Sequence, residues 1–293
     1  MKSMNPKLKM ILAVGAFGTI SLFVRSIPLS SAEVALCRAL IALVCLGLFN
    51  LARRKGGRSR QSLRELGGEL PLLFLSGAAM GFNWIFLFEA YKYTTVSVAT
   101  LSYYFAPVIV MVLCPLLFHE RMTLRQVICF IGSTVGLILV VNPAGAGGPD
   151  PLRGVLFGLA AAVLYAVVIL VIKRIRRVSG IDRTALQFSA AAIVLLPYVL
   201  LTTGVHFEAM TPVGWVCLLA VGLLHSGVAY VLYFSALSAL PGQESAILSY
   251  IDPLVAVLIS LTVLGEPTAP AQLVGGAMIL AFTLANELKG AES

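Results

Sequence analysis

Ten apolar stretches, each close to the roughly twenty residues that a helix needs to cross a bilayer, take up most of this chain. They lie near residues 8–24, 32–51, 70–91, 97–117, 124–141, 152–172, 184–203, 212–236, 244–264 and 270–288, and short charged or Pro/Gly-rich connections separate them. In lipid an isolated strand cannot satisfy its backbone hydrogen bonds, so every stretch is expected to be a helix. This predicts an all-α integral membrane protein of ten transmembrane helices. Composition agrees: 59% of the 293 residues are apolar and 12% charged, too little polar surface for a particle facing water. The residues outside the stretches are too few for a soluble domain. Lys2, Lys7 and Lys9 at the start of the first stretch, with Ser30 and Ala32 after it, resemble a signal peptide, but the further stretches favour a retained anchor.

The net charge of +8 lies in short clusters between apolar stretches, without interleaved aromatics, so nucleic acid is not an expected partner. With the N-terminus in the cytoplasm, 17 of the 21 Lys and Arg residues fall on the inner side, and only Arg25, Lys92 and Arg153 fall outside. Arg38 lies within the second stretch. By the positive-inside rule both termini are cytoplasmic. Cys37, Cys45, Cys114, Cys129 and Cys217 sit inside apolar stretches without metal-ligand spacing and read as small apolar residues.

Sliding the chain on itself by 146 residues aligns 88–126 with 234–272 without a gap, matching Phe88/Phe234, Ala90/Ala236, Tyr104/Tyr250, Pro107/Pro253, Glu120/Glu266 and Gln126/Gln272. The same register superposes the helix boundaries, which divides the chain into five-helix repeats at 1–145 and 146–293. Five crossings is an odd number, so the second repeat is inverted relative to the first. Inverted repeats are the architecture of secondary transporters, with a site near the midplane between the halves. The run SYYFAPVIV...FHERMTLRQ, its echo SYIDPLVAV...LGEPTAPAQ, Arg38 in the second helix, the basic second connection and the stretch 81–107 resemble the drug/metabolite transporter superfamily, in its ten-helix EamA-type branch. The resemblance covers nearly the whole chain. It departs at an aromatic-glycine pair of the first helix of each half, present as Phe17-Gly18 and as Tyr165-Ala166. What it implies is transport of small organic solutes, frequently export.

Ionisable groups inside apolar stretches are the strongest functional clues, since each costs at least about 2.5–3.5 kcal/mol at the bilayer centre. Asp252 lies eight residues into the ninth stretch, with Ser245 and Ser249 on the same helical face, and is a candidate for binding a proton or a substrate amine. His225, midway along the eighth, is a candidate for proton-linked gating or for helix packing. Arg38 and Glu89 could pair with each other, or hold the two ends of a zwitterion, with Lys92 as a rival partner for Glu89. Trp84, Asn83, Tyr104, Tyr165 and Tyr250 are placed to line a cavity for an amphipathic or cationic solute. Pro107 and Pro253 are expected to kink the fourth and ninth helices and serve as hinges. Glu120 and Glu266 read as anchors at helix ends. Gly77/Gly81, Gly132/Gly136 and Gly154/Gly158 allow close helix contact.

The sequence holds no HExxH, GxSxG or Walker loop, so no enzyme, cofactor or metal site is expected. The reading is a multi-pass carrier of the cytoplasmic membrane, a monomer or homodimer, that exports small organic metabolites such as amino acids by alternating access, with protons as the candidate coupling ion. Uptake of a small cation or nutrient is the runner-up, and an intramembrane enzyme or lipid-handling scaffold the remote alternative.

Overall fold

Helix starts in this chain are written in capping residues. Asn5 accepts from the Lys7 amide at 2.9 Å ahead of Pro6, Asp150 from Arg153 at 3.2 Å ahead of Pro151, and Thr211 from Gly214 at 2.9 Å ahead of Pro212. Ser30 and Glu33 exchange bonds between side chain and amide at 2.9 and 3.2 Å, a capping box. In a computed structural model, which describes residues 4–54, 67–118, 123–141, 147–178, 180–237, 239–240 and 242–290, these signals open α1 (Pro6–Val24), α2 (Ser31–Arg54), α7 (Pro151–Ile172) and α9 (Pro212–Ala220). Glu120 and most of the basic second connection lie outside the described residues.

The other helices are α3 (Leu70–Tyr93), α4 (Val96–Tyr103), α5 (Ala106–Phe118), α6 (Leu124–Val141), α8 (Gly180–Thr202), α10 (Ala229–Leu237), α11 (Gly242–Ser249), α12 (Ile251–Thr262) and α13 (Pro270–Gly290). Between α9 and α10 the rod continues through a π-helical stretch, Val221–Val228. Seven helical stretches among the described residues are long and apolar enough to cross a membrane, namely 6–24, 31–49, 67–93, 96–113, 151–172, 180–202 and 212–237. Shorter apolar helices cover 124–140, 247–262 and 270–286.

Two expectations need correction. The fourth and ninth stretches are not kinked rods: each is two helices, α4 with α5 and α11 with α12, broken at Tyr104 and Tyr250. Pro107 and Pro253 sit in the first turn of the second piece, where a residue without an amide proton costs nothing. The break also removes the periodic argument that put Ser245 and Ser249 beside Asp252. Ser249 spends its hydroxyl on the Ser245 carbonyl at 2.8 Å instead.

Nearly every helix finds its main partners in the other half of the chain. α3 packs against α7 and α8, α6 against α13, α1 against α10 and α12, and α2 against α8 and the π stretch. Small residues permit the closest of these crossings. A Cβ on Gly136 would stand 2.6 Å from the Gly275 carbonyl, and one on Gly275 2.4 Å from that of Gly136, so α6 and α13 touch backbone to backbone. Matching capping bonds open the two helices: Gln126 Oε1 accepts from the Thr123 amide at 2.8 Å and Gln272 Oε1 from the Ala269 amide at 3.0 Å.

Candidate functional site

Asp252 is in the first turn of α12, just after the break, where the positive end of the helix dipole favours an acid. Its carboxylate accepts from the Tyr104 hydroxyl at 2.6 Å. Tyr104, the C-cap of α4, stands at the break in the first half, so one short bond ties the two breaks together across the halves. α1 closes over the same point, because a Cβ on Gly18 would lie 2.6 Å from the Asp252 carbonyl oxygen. Tyr250, which caps α12, is buried.

An aromatic chain runs from this acid through the helices. The rings of Tyr104 and Tyr103 meet at 5.8 Å and those of Tyr103 and Tyr165 at 5.4 Å, with Tyr165 itself exposed. A second series links Trp84 to Phe188 at 5.1 Å, Phe188 to Tyr230 at 5.3 Å and Tyr230 to Phe17 at 5.1 Å. Arg38 faces this second series, its guanidinium carbon 4.4 Å above the Trp84 ring and 5.8 Å from that of Phe88.

The π stretch explains how His225 and Ser226 are aimed. Within it both side chains reach back five residues, the span of the π register: His225 Nδ1 lies 3.0 Å from the Ala220 oxygen, and the Ser226 hydroxyl donates to the Val221 carbonyl at 2.9 Å. A carbonyl only accepts, so Nδ1 carries the ring proton. The other ring nitrogen stands 2.9 Å from the Thr19 hydroxyl on α1, and the Phe23 ring packs edge-on at 4.9 Å. Ser226 accepts from Arg38 Nε at 2.5 Å.

Two candidates fall outside this group. Glu89 pairs with Lys92 at 3.0 Å and accepts from the Ser31 hydroxyl at 2.6 Å, so the anticipated Arg38–Glu89 pair does not form. The local lysine wins because it lies one helical turn away on the same face. Asn83 is buried and gives its amide to the Ala161 carbonyl at 2.6 Å, tying α3 to α7.

Sequence reasoning missed several polar residues. Glu33, 2% exposed, holds the amides of Ser30 at 2.9 Å and His206 at 2.7 Å, fastening the connection after α8 to α2. The S-x-x-E spacing was its available signal. Glu266, expected to anchor a helix end, does so broadly: it pairs with Arg25, accepts from the Val96 amide at 2.8 Å and takes the Ser260 hydroxyl at 2.6 Å. Arg25 also donates to the Tyr91 and Thr94 carbonyls at 2.8 and 3.0 Å, so α1, α3, α4 and α12 are joined at one end. Ser226 and Thr19 carry no sequence signal beyond the proximity of Ser226 to His225.

With the geometry in place, the chain can be set beside known proteins. The description EamA-like transporter family matches residues 7–142 and 152–286. An uncharacterized transporter of Bacillus subtilis, YxxF, is 29% identical over 94% of this chain and 86% of its own length. An uncharacterized transporter of Archaeoglobus fulgidus is 28% identical over 94% and 93%. A probable terminal-alkyne amino-acid exporter of Streptantibioticus cattleyicolor is 30% identical over 85% and 82%. A crystal structure 21% identical, covering 96% of this chain and 97% of the other, shares the fold with a TM-score of 0.59.

Proposed function

The chain belongs to the EamA-like transporter family, a multi-pass cell-membrane transporter and not an enzyme, and on that premise we propose that it is a secondary carrier exporting small organic metabolites such as amino acids. Ten crossings are assigned to α1, α2, α3, α4 with α5, α6, α7, α8, the rod from α9 to α10, α11 with α12, and α13. The two halves are inverted repeats and both termini are cytoplasmic. Supporting the repeat, the family match covers each half separately, and α4 and α11 begin and end 146 residues apart. Supporting the orientation is the distribution of Lys and Arg. A relative named as a probable amino-acid exporter supports the substrate class and direction.

The observation that carries the reading is the bond from Tyr104 to Asp252. It joins two helix breaks, one from each half, and such breaks are where carriers place substrate and coupling ions. Asp252 receives a coupling proton or a substrate amine, the aromatic chain lines the path, and Pro107 and Pro253 let the second helix pieces tilt as the halves rock. The sequence has no Walker loop, and on this reading uphill movement draws on an ion gradient.

The test is flux in proteoliposomes containing purified protein, with amino acids, amines, nucleosides and sugars first screened by shifts in melting temperature. The expected result is an amino acid that stabilises the protein and moves faster when a pH gradient is imposed. Flux that equilibrates with no response to the gradient would remove proton coupling, and a panel with no transported solute would overturn the substrate class.

A further inference from the structure

Arg38 is 4% exposed, and among the described residues it has no carboxylate partner. The acids near its end of the molecule are engaged elsewhere: Glu33 with the Ser30 and His206 amides, Glu89 with Lys92 and Ser31, Glu266 with Arg25, and Asp252 with Tyr104. What faces the guanidinium is the Trp84 ring at 4.4 Å, with Phe88 at 5.8 Å. Stacking of this kind returns less than the cost of holding the charge in an apolar interior.

The hydrogen bonding sets which part of the group remains available. Nε donates to Ser226 at 2.5 Å, and Ser226 has already committed its own proton to the Val221 carbonyl at 2.9 Å. Ser226 therefore acts purely as an acceptor, and it fixes the guanidinium plane against Trp84. Among the described residues no hydrogen bond is made by the two terminal nitrogens, and the edge they form matches the two oxygens of a carboxylate. A cavity of about 290 Å³, lined by Val34 and Tyr91 among others, carries Arg25 and Lys92 on its wall and Phe88, the ring beneath Arg38. The Phe88 ring stands between this cavity and the Arg38 guanidinium, which lies 5.8 Å from it.

We propose that Arg38 is the carboxylate-binding group of the transport path, held in position by Ser226, and that the substrates are monoanionic organic acids or zwitterions with an apolar or aromatic body. A single cation walled by rings balances one negative charge. A phosphate ester would bring an excess charge into the same apolar surroundings, which are costly to any unpaired ion. This assignment deepens the transporter reading and rests on it.

Matched acids and amides test it directly. L-Phenylalanine, L-leucine and 3-phenylpropionate are compared with L-phenylalaninamide, L-leucinamide and 3-phenylpropionamide for binding to the full chain in lipid nanodiscs. At least one acid is expected to raise the melting temperature and to bind roughly tenfold or more tightly than its amide. Arg38→Gln is expected to abolish the difference and Arg38→Lys to keep a small part of it. Equal binding of acid and amide, no binding by any acid, or an unchanged preference in Arg38→Gln would each overturn the assignment. Should Arg38→Gln fail to fold, Ser226→Ala leaves the charge in place and is expected to reduce the acid-to-amide preference roughly tenfold; an unchanged preference there counts equally against it. An acid that binds through Arg38 yet never crosses the proteoliposome membrane sinks the transporter reading and leaves the site standing. A solute carried equally by wild type and Arg38→Gln does the reverse.

Discussion

In the first half the chain breaks at Tyr104 and resumes as α5 with Ala106 and Pro107 in its first turn; in the second it breaks at Tyr250 and resumes as α12 with Asp252 and Pro253 in its first turn. Tyrosine and proline recur at the same offsets, and the paired first pieces, Val96–Tyr103 and Gly242–Ser249, have the same length of 8 residues. The acid does not recur. Backbone geometry is shared between the halves, while the ionisable group is confined to one of them. The buried Ala106 side chain occupies the place where a second carboxylate would stand. The two breaks are alike in shape and unlike in chemistry: one acid stands just after the second, and a tyrosine from the first reaches it.

The largest effect is expected from imposing the missing symmetry. Ala106→Asp puts an unpaired acid among apolar neighbours and is expected to cost about 2.5–3.5 kcal/mol or more, read as a fall in melting temperature and in the yield of monodisperse protein. A variant as stable as wild type would mean that the first break tolerates an acid and that the asymmetry is incidental. Removing the acid from the second half should harm transport more than folding. Asp252→Asn and Tyr104→Phe are each expected to lower gradient-driven flux about ten- to a hundredfold, since a hydrogen bond to a charged group is worth about 1.5–3 kcal/mol. If only one of the two lowers flux, the bond between them is not the working unit.

The capping glutamines give the smallest and most symmetric comparison. Gln272 is fully buried and also reaches the Val140 carbonyl at 3.4 Å, whereas Gln126 caps its helix at the surface. Gln272→Ala is expected to cost about 1–3 kcal/mol and Gln126→Ala about 0.5–1 kcal/mol, measured by thermal unfolding in the same detergent. Equal losses would show that burial does not separate the two helix starts.

Much of this was legible from residue order. Apolar length located the helices, Pro and Ser/Thr/Asp/Asn marked their starts, and a shift of 146 residues aligned Tyr104 with Tyr250 and Gln126 with Gln272. The interior of the fourth and ninth stretches was misread. Pro107 and Pro253 permit either a kink in one rod or the start of a second helix, and both outcomes have the same composition. The site was legible as a set of residue types and not as a set of contacts. Glu89 was matched with Arg38 because both are charges in apolar stretches, yet Lys92 at one turn's distance takes it.

By itself the sequence determined a helical protein of the membrane, the places where its helices begin, and the small group of ionisable and aromatic residues that an apolar chain retains at a cost. Hydrophobic length and capping are local properties, so they can be read in order along the chain. Only the tertiary structure decided that Tyr104 meets Asp252, that Arg38 lies on Trp84 with Ser226 at its Nε, and that Glu266 gathers Arg25, Val96 and Ser260. Apart from the Ser260 bond to Glu266, these contacts join residues far apart in the chain, and the Ser226 contact also turns on a local change of helical register, the π stretch at 221–228. Periodicity along one helix specifies neither the rotation of its partner nor the point at which a helix widens, so these pairings are settled by packing between helices.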